Sequence, residues 1–488
     1  MPKTIFGTTE KSNFILNMRA STVEKWIHGV LLFCVIMPQI GAAIISLSQT
    51  TTVWFTVFLY ATGFTGFLFY LIVMLRADLK FFENPAYIII ALAALFTVVS
   101  YYGVVMREVN SDYMSTALFG EVGRYEGLLS LMAYFGIFLV ATCVAEKRTV
   151  RSVFDILIAA GILQSLFAVL QHIPGLSFPS EFADLPFGRI ANVMLSSGLA
   201  DSPIFYGSFV TLVSGIAVIG AIFEQNIIRA RVYGLAAVLL SMTGLFTSSI
   251  VPIIGVSMVL IITTIIIAVT YSKGCDVRFK GGILITPALR YAVLIGIILG
   301  VFALVYLIQG IYIRDKYIAF SDSFYRLFIT GAPSPVNPAS LYEIAWVRSI
   351  DYIRQYPITG VGPDCFAYIQ LLHGTTLENP EVLTSTVDSI DKSYNGYLFT
   401  AVTRGIPSLI MYLALIWYAV RKSCKDMGEF FKNSENWFLP AMFTAVTAYV
   451  IQDFWSVSAV TVVPFFWLLL GFMTAKRIVN SEQLTVNS

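Results

Sequence analysis

Apolar blocks of about twenty residues alternate with short polar connections along most of the chain, and one polar stretch, from Ile313 to Arg404, breaks that rhythm. A helix of about twenty apolar residues matches the hydrocarbon thickness of a bilayer. Spans are predicted near 26–47, 53–75, 86–106, 127–145, 152–172, 205–223, 232–248, 250–270, 289–312, 397–420, 437–454 and 457–475. Strand alternation is absent, so helices rather than a barrel are implied. The expectation is an all-α polytopic membrane protein of about twelve transmembrane helices, with a large extracytoplasmic loop between helices 9 and 10. Three regions follow: a transmembrane bundle over 1–312, the loop with a short amphipathic helix over 313–396, and C-terminal transmembrane helices with a cytoplasmic tail over 397–488.

Composition points the same way. Of 488 residues, 57% are hydrophobic and 12% charged, with a mean hydropathy of +0.78. A soluble domain carries roughly 25% charged residues, and this chain lacks the polar side chains to cover a soluble surface. A net charge of +2 without a basic cluster argues against a nucleic-acid partner. The five cysteines share no metal-type or redox spacing, and no disulfide is expected. No cleavable signal peptide is visible, so the first apolar block reads as a retained helix.

Lys and Arg set the orientation. With the N-terminus inside, every cytoplasmic connection is basic (Arg76 and Lys80, Lys147 and Arg148, Arg229 and Arg231, Lys273 to Arg290, Arg421 to Lys432), while short outer connections are nearly bare. Both termini are therefore expected in the cytoplasm and the loop outside. Within the loop, Ser340 to Gln355 reads as an amphipathic helix stopped by Pro357, too charged to span, lying on the membrane surface or capping the bundle.

The loop carries a family likeness. Trp346, then Pro357, Gly360, Gly362-Pro363-Asp364 and Phe366, then Asp391-Lys392, Asn395 and Tyr397-Leu398, then Gly405-Ile406-Pro407, stand in an order that resembles the O-antigen ligase and O-antigen polymerase superfamily. Upstream, Gly123-Arg124-Tyr125-Glu126-Gly127-Leu128 resembles a segment before the fourth span of many members. Three positions depart from the family pattern. Tyr394 stands where a His is usual, Tyr342 where an Arg is usual, and Ile250 where the Arg of a Ser-Arg pair is usual.

The resemblance implies a reaction: a glycan moves from a polyprenyl diphosphate to an acceptor hydroxyl, on the outer face of a bacterial cytoplasmic membrane. The partners are then a polyprenyl-diphosphate-linked oligosaccharide, a glycan acceptor and the bilayer. The lipid diphosphate is itself a good leaving group, so no cofactor or metal is called for. Such a site needs positive charge around the diphosphate and a group that accepts the hydroxyl proton.

Outward cations are the donor-binding candidates. Arg404 lies about two turns inside a predicted span, where charge is costly and often functional; the alternatives are snorkelling or a pair with Asp453. Arg124 is either a donor contact or an interfacial anchor paired with Glu126, and Arg189 is similar. Lys392 either binds substrate or pairs with Asp391, whereas Arg348 and Arg354 fit a solvated helix face with Glu343 and Asp351. Asn395, Gly360, Gly362 and Asp364 join the substrate-binding set through the resemblance, Gly360 and Gly362 equally as a tight turn. For proton transfer the candidates are His373, Asp364, Asp388 and Asp391, with Tyr394 at the family's His position; Asp391 could equally cap the next helix. Asp155, one turn from Arg151, reads as a helix pair. Two other readings stay open: a transporter or flippase, and a catalytically silent relative that binds precursor glycans.

Overall fold

Proline and cap residues set the helix starts. In the computed structural model, Asn84 caps the helix that opens at Pro85, its Oδ1 accepting from the Ala86 N–H at 3.1 Å. Asn226, Ser249 and Asn395 cap three others in the same way. The structure describes residues 53–76, 84–107, 111–143, 147–172, 196–200, 202–247, 249–273, 286–325, 340–368 and 390–475, with isolated positions 25, 29 and 36. The predicted first span, 26–47, falls almost wholly outside the described residues.

Helices in chain order are α1 (Val53–Arg76), α2 (Pro85–Val105), α3 (Ser111–Phe119), α4 (Leu128–Thr142), α5 (Lys147–His172), α6 (Pro203–Phe223), α7 (Ile227–Phe246), α8 (Ile250–Ser272), α9 (Pro287–Tyr325), α10 (Ser340–Gln355), α11 (Gly396–Lys432), α12 (Phe438–Gln452) and α13 (Val463–Thr474). Eight of these are long and apolar enough to cross a bilayer, and α4 and α13 are shorter apolar helices. The chain is a multi-pass, all-α membrane protein. The ninth helix does not stop at 312 but runs to Tyr325, and α11 continues past 420 to Lys432. Helical propensity outlasts the apolar run in both, since hydropathy marks the lipid boundary and not the end of the hydrogen-bond ladder.

Burial sorts the helices. Along α6, 89% of the apolar window is buried; along α9 only 17%. The first is the centre of the bundle and the second its lipid-facing rim. Close approach rests on small residues. A Cβ on Gly63 of α1 would enter Ala133 of α4, and one on Gly215 of α6 would enter the backbone of Ala445 in α12.

A second, smaller core sits at one end of the bundle. It joins Val104, Tyr113 and Ala117 to Ala345 and Trp346 of α10, to Val361, Cys365 and Phe366, and to Phe399 and Val402 of α11. The helix Ser340–Gln355 expected from the sequence is present, and its Ala345–Trp346 face caps the bundle. The opposite end is basic. There Arg151 bonds Glu224, and Arg290 donates to the Glu224 carbonyl at 2.9 Å. The expected Arg151–Asp155 pair is replaced: Asp155 accepts from Tyr233 at 2.5 Å, with Arg229 at 3.9 Å. Glu224 is buried at the end of α6, so it draws the guanidinium that could otherwise reach along α5.

Candidate functional site

The segment 120–127 turns back on itself between α3 and α4. Gly120 and Gly123 take φ of +99° and +89°, conformations that favour glycine, and Tyr125 joins them at +52°. As a result the N–H groups of Glu121 and Glu126 both point at Asp364 Oδ2, at 2.7 and 3.1 Å. Arg124 Nε donates to Asp364 Oδ1 at 2.9 Å, and its Nη1 donates to Asp391 Oδ2 at 2.5 Å. The Phe399 ring lies 5.4 Å from this guanidinium. Arg124 is 2% exposed. One cation thus ties together three segments that are remote in sequence.

Asp364 reaches this position on a turn sewn into α11. Gly405 has φ +82°, which breaks the helical ladder; the Ile406 N–H turns to the Pro357 carbonyl and Pro407 has no N–H, so the Val402 and Thr403 carbonyls are free for other donors. The Val361 and Gly362 N–H groups donate to the Val402 and Thr403 carbonyls at 2.8 and 3.0 Å. Arg107 holds the turn from α2's end, donating to the Gly360 carbonyl at 2.8 Å and to Thr359 Oγ1 at 2.9 Å, over the Tyr356 ring. Tyr113 donates to the Val361 carbonyl at 2.6 Å. Gly360 and Gly362, at φ +65° and +119°, are the bends of this turn.

Asp391, Lys392, Tyr394 and Tyr342 form the accessible edge. Asp391 is 36% exposed and Lys392 18%, and they pair at 3.3 Å. Lys392 also sits 5.4 Å from the Tyr394 ring and 5.9 Å from that of Phe205, at the start of α6. Burial alone would raise the Asp391 carboxyl, but the charges of Lys392 and Arg124 outweigh it and hold the group down at about 2. It is an anion at any physiological pH. The Tyr394 phenol is pushed up by burial and then by Asp391, so it stays neutral.

Glu126 lies behind this edge. Its carboxylate accepts from Tyr134 at 3.0 Å and from Ser458. Burial pushes its pKa up to about 7, with Ser458 and the Arg404 charge opposing. Arg404 itself donates to Thr400 Oγ1 at 2.7 Å and lies within electrostatic range of Glu126 first and Asp453 last. The Arg404 charge therefore acts on the segment that carries Arg124.

Several sequence expectations change. Arg124 does not pair with Glu126; it pairs with Asp364 and Asp391, because the backbone of 120–127 turns the guanidinium towards the loop. Asp364 is not placed to accept a substrate proton, since both its oxygens are taken and it is buried. Asp391 does not cap α11. Asn395 does, accepting from the Tyr397 and Leu398 N–H groups at 3.0 Å each, so its Oδ1 serves the helix. Arg354 pairs with Asp351 at 3.3 Å on an exposed face, as expected. His373, Asp388 and Arg189 lie outside the described residues. Among the described residues no cluster of His, Cys, Asp and Glu could hold a metal ion.

The sequence reading missed Arg107 as a clamp and Glu126 as an acid in its own right. Ser458 carried no signal. Glu126 did: it is an acid beside Gly127, just ahead of an apolar block. A scan against protein-family models and a search of curated proteins found no match to this chain. Fold and site together define a multi-pass helical membrane protein with a buried ionic cluster at one end of its bundle.

Proposed function

We propose that this protein is a membrane glycan polymerase or ligase, moving a saccharide from an undecaprenyl-diphosphate-linked donor to an acceptor hydroxyl in the making of a cell-surface polysaccharide. The observation that carries the reading is the bond between Arg124 and Asp364, groups 240 positions apart in the chain. Each belongs to a motif that resembles the O-antigen ligase and polymerase superfamily, and the two motifs meet at one end of the bundle, with Asp391-Lys392 beside them. The opposite, basic end would face the cytoplasm under the positive-inside rule. That orientation supports about twelve spans, cytoplasmic termini and an extracytoplasmic site.

In this reading Lys392 and Arg404 receive the diphosphate, while Arg124 holds the scaffold of acids in place. Asp391, ionised and part-exposed at the accessible edge, is the carboxylate that takes the hydroxyl proton, since Glu126, like Asp364, is buried with both oxygens occupied. The test is reconstitution in liposomes with a lipid-linked oligosaccharide. Wild-type protein is expected to lengthen or transfer the glycan, and Arg404→Ala to abolish it. Wild-type-like product from that variant would remove Arg404 from the mechanism.

A second reading, a relative that binds lipid-linked glycan without catalysis, is favoured by one observation. Aromatic rings fill both family positions at the site, Tyr342 against Tyr394. Donor binding without product, unchanged by Tyr394→His, would select it.

A further inference from the structure

The turn that carries Asp364 is not simply a cap above the membrane. We infer that its leading edge, Pro357 to Gly360, is a re-entrant piece, with Ile358 in contact with lipid acyl chains between α2 and α11.

Three observations carry this. First, Ile358 is 64% exposed, an aliphatic side chain pointing away from the protein. Second, it lies between two spanning helices whose outward stripes are apolar. On α2 that stripe is Leu95, Val98 and Tyr102, with Met106 just beyond; on α11 it is Ile406, Ile410, Leu413 and Trp417. Contact with both helices is direct. A Cβ added to Gly103 of α2 would stand 3.1 Å from Thr359, and one on Gly405 of α11 would enter the Ile358 carbonyl oxygen. The apolar surface of the two spans therefore continues across the turn.

Third, the turn's backbone is bonded within the protein at Pro357, Gly360, Val361 and Gly362. The Pro357 carbonyl accepts from the Ile406 N–H at 2.8 Å, and the Gly360 N–H donates to the Tyr356 carbonyl at 3.0 Å. The Val361 and Gly362 N–H groups use the carbonyls freed at the α11 break. Arg107 and Tyr113 cover the Gly360 and Val361 carbonyls. A loop in water does not need this. Irregular backbone at membrane depth relies on such partners, because hydrocarbon offers none. The position in α11 agrees: Gly405 lies nine residues from its start, roughly 14 Å at 1.5 Å per residue.

The lipid, rather than a second copy of the chain, is the occupant because the patch is one surface with the two spanning stripes. The inference does not rest on the glycan-transfer reading and makes no use of it.

The test is thiol labelling in nanodiscs with a water-soluble maleimide, the modified position being read by peptide mass spectrometry so that native cysteines need not be removed. Ile358→Cys and Met106→Cys are compared with Arg354→Cys, a position 76% exposed beside Asp351. A thiol in apolar surroundings is held protonated and unreactive, so both patch positions are expected to label at least about tenfold more slowly than 354. Equal rates at 358 and 354 would overturn the inference by placing the turn in water. Protection that disappears when the protein is diluted into excess empty lipid would overturn it too, by showing a copy-to-copy contact. Because Ile358 is exposed, Cys removes no packing there, and unchanged labelling at 354 checks that the variant is folded.

Discussion

Tyr342 of α10 packs against Tyr394, the residue just ahead of α11's cap, with ring centroids 5.0 Å apart. The contact joins the loop helix to the segment bearing Asp391 and Lys392. It also puts two neutral phenols at the accessible edge of an ionic cluster.

Because burial raises the Tyr394 phenol, it is not the proton acceptor of the proposed reaction. Tyr394→Phe is expected to keep glycan-transfer rates within about threefold. Asp391→Asn is expected to lower them about 10²- to 10⁴-fold, the usual range for a general base. Initial rates with a lipid-linked donor decide the point, and a Tyr394→Phe loss as large as that of Asp391→Asn would reverse the roles.

Arg124 neutralises two acids at once, one of them fully buried. Removing one partner of a buried pair costs about 3–5 kcal/mol. Arg124→Ala is expected to lower the melting temperature in detergent far more than Lys392→Ala, whose pair is part-exposed. Asp364→Asn should fall near Arg124→Ala, and Asp391→Asn between the two.

Glu126 carries a pH signature. Burial raises its folded pKa from the ordinary 4.5 to about 7. Between those values the folded protein holds a proton that the unfolded chain has released. Its contribution to stability is therefore present at low pH and is lost as pH rises towards 7, on the order of 3 kcal/mol in full. The difference between wild type and Glu126→Gln, measured by thermal unfolding from pH 4.5 to 7.5, should shift in favour of the variant as pH rises. A difference flat across that range would refute the raised value.

Gly405 and Gly296 make a matched pair. Gly405 has φ +82° and ψ 164°, and a Cβ there would enter the Ile358 carbonyl; the backbone strain alone is worth about 1–3 kcal/mol. Nothing lies within 4 Å of a Cβ on Gly296. Gly405→Ala is expected to destabilise the fold and detach the Asp364 turn, exposing the buried Cys365 to maleimide. Gly296→Ala should be neutral or slightly stabilising.

The sequence by itself determined the class of molecule and most of its helices. Apolar run length and cap chemistry are local properties, so α2, α6, α8 and the amphipathic Ser340–Gln355 could be read directly from the pattern. It also marked the residues that gather at the site, Arg124, Asp364, Asp391 and Lys392 through the motifs that hold them and Arg404 as a charge inside a span, where polarity is costly. It did not reveal who pairs with whom. Arg124 was open between a donor contact and a pair with Glu126, two residues away, yet it reaches groups 240 and 267 positions distant. Asp391 could equally have been a proton acceptor or a cap, and Asn395 takes the cap's place. Only the tertiary structure decides such choices. A charge in a low-dielectric bundle takes the partner that satisfies the most hydrogen bonds, and which partner is within reach depends on how a glycine-bent connection and a broken helix fold towards each other.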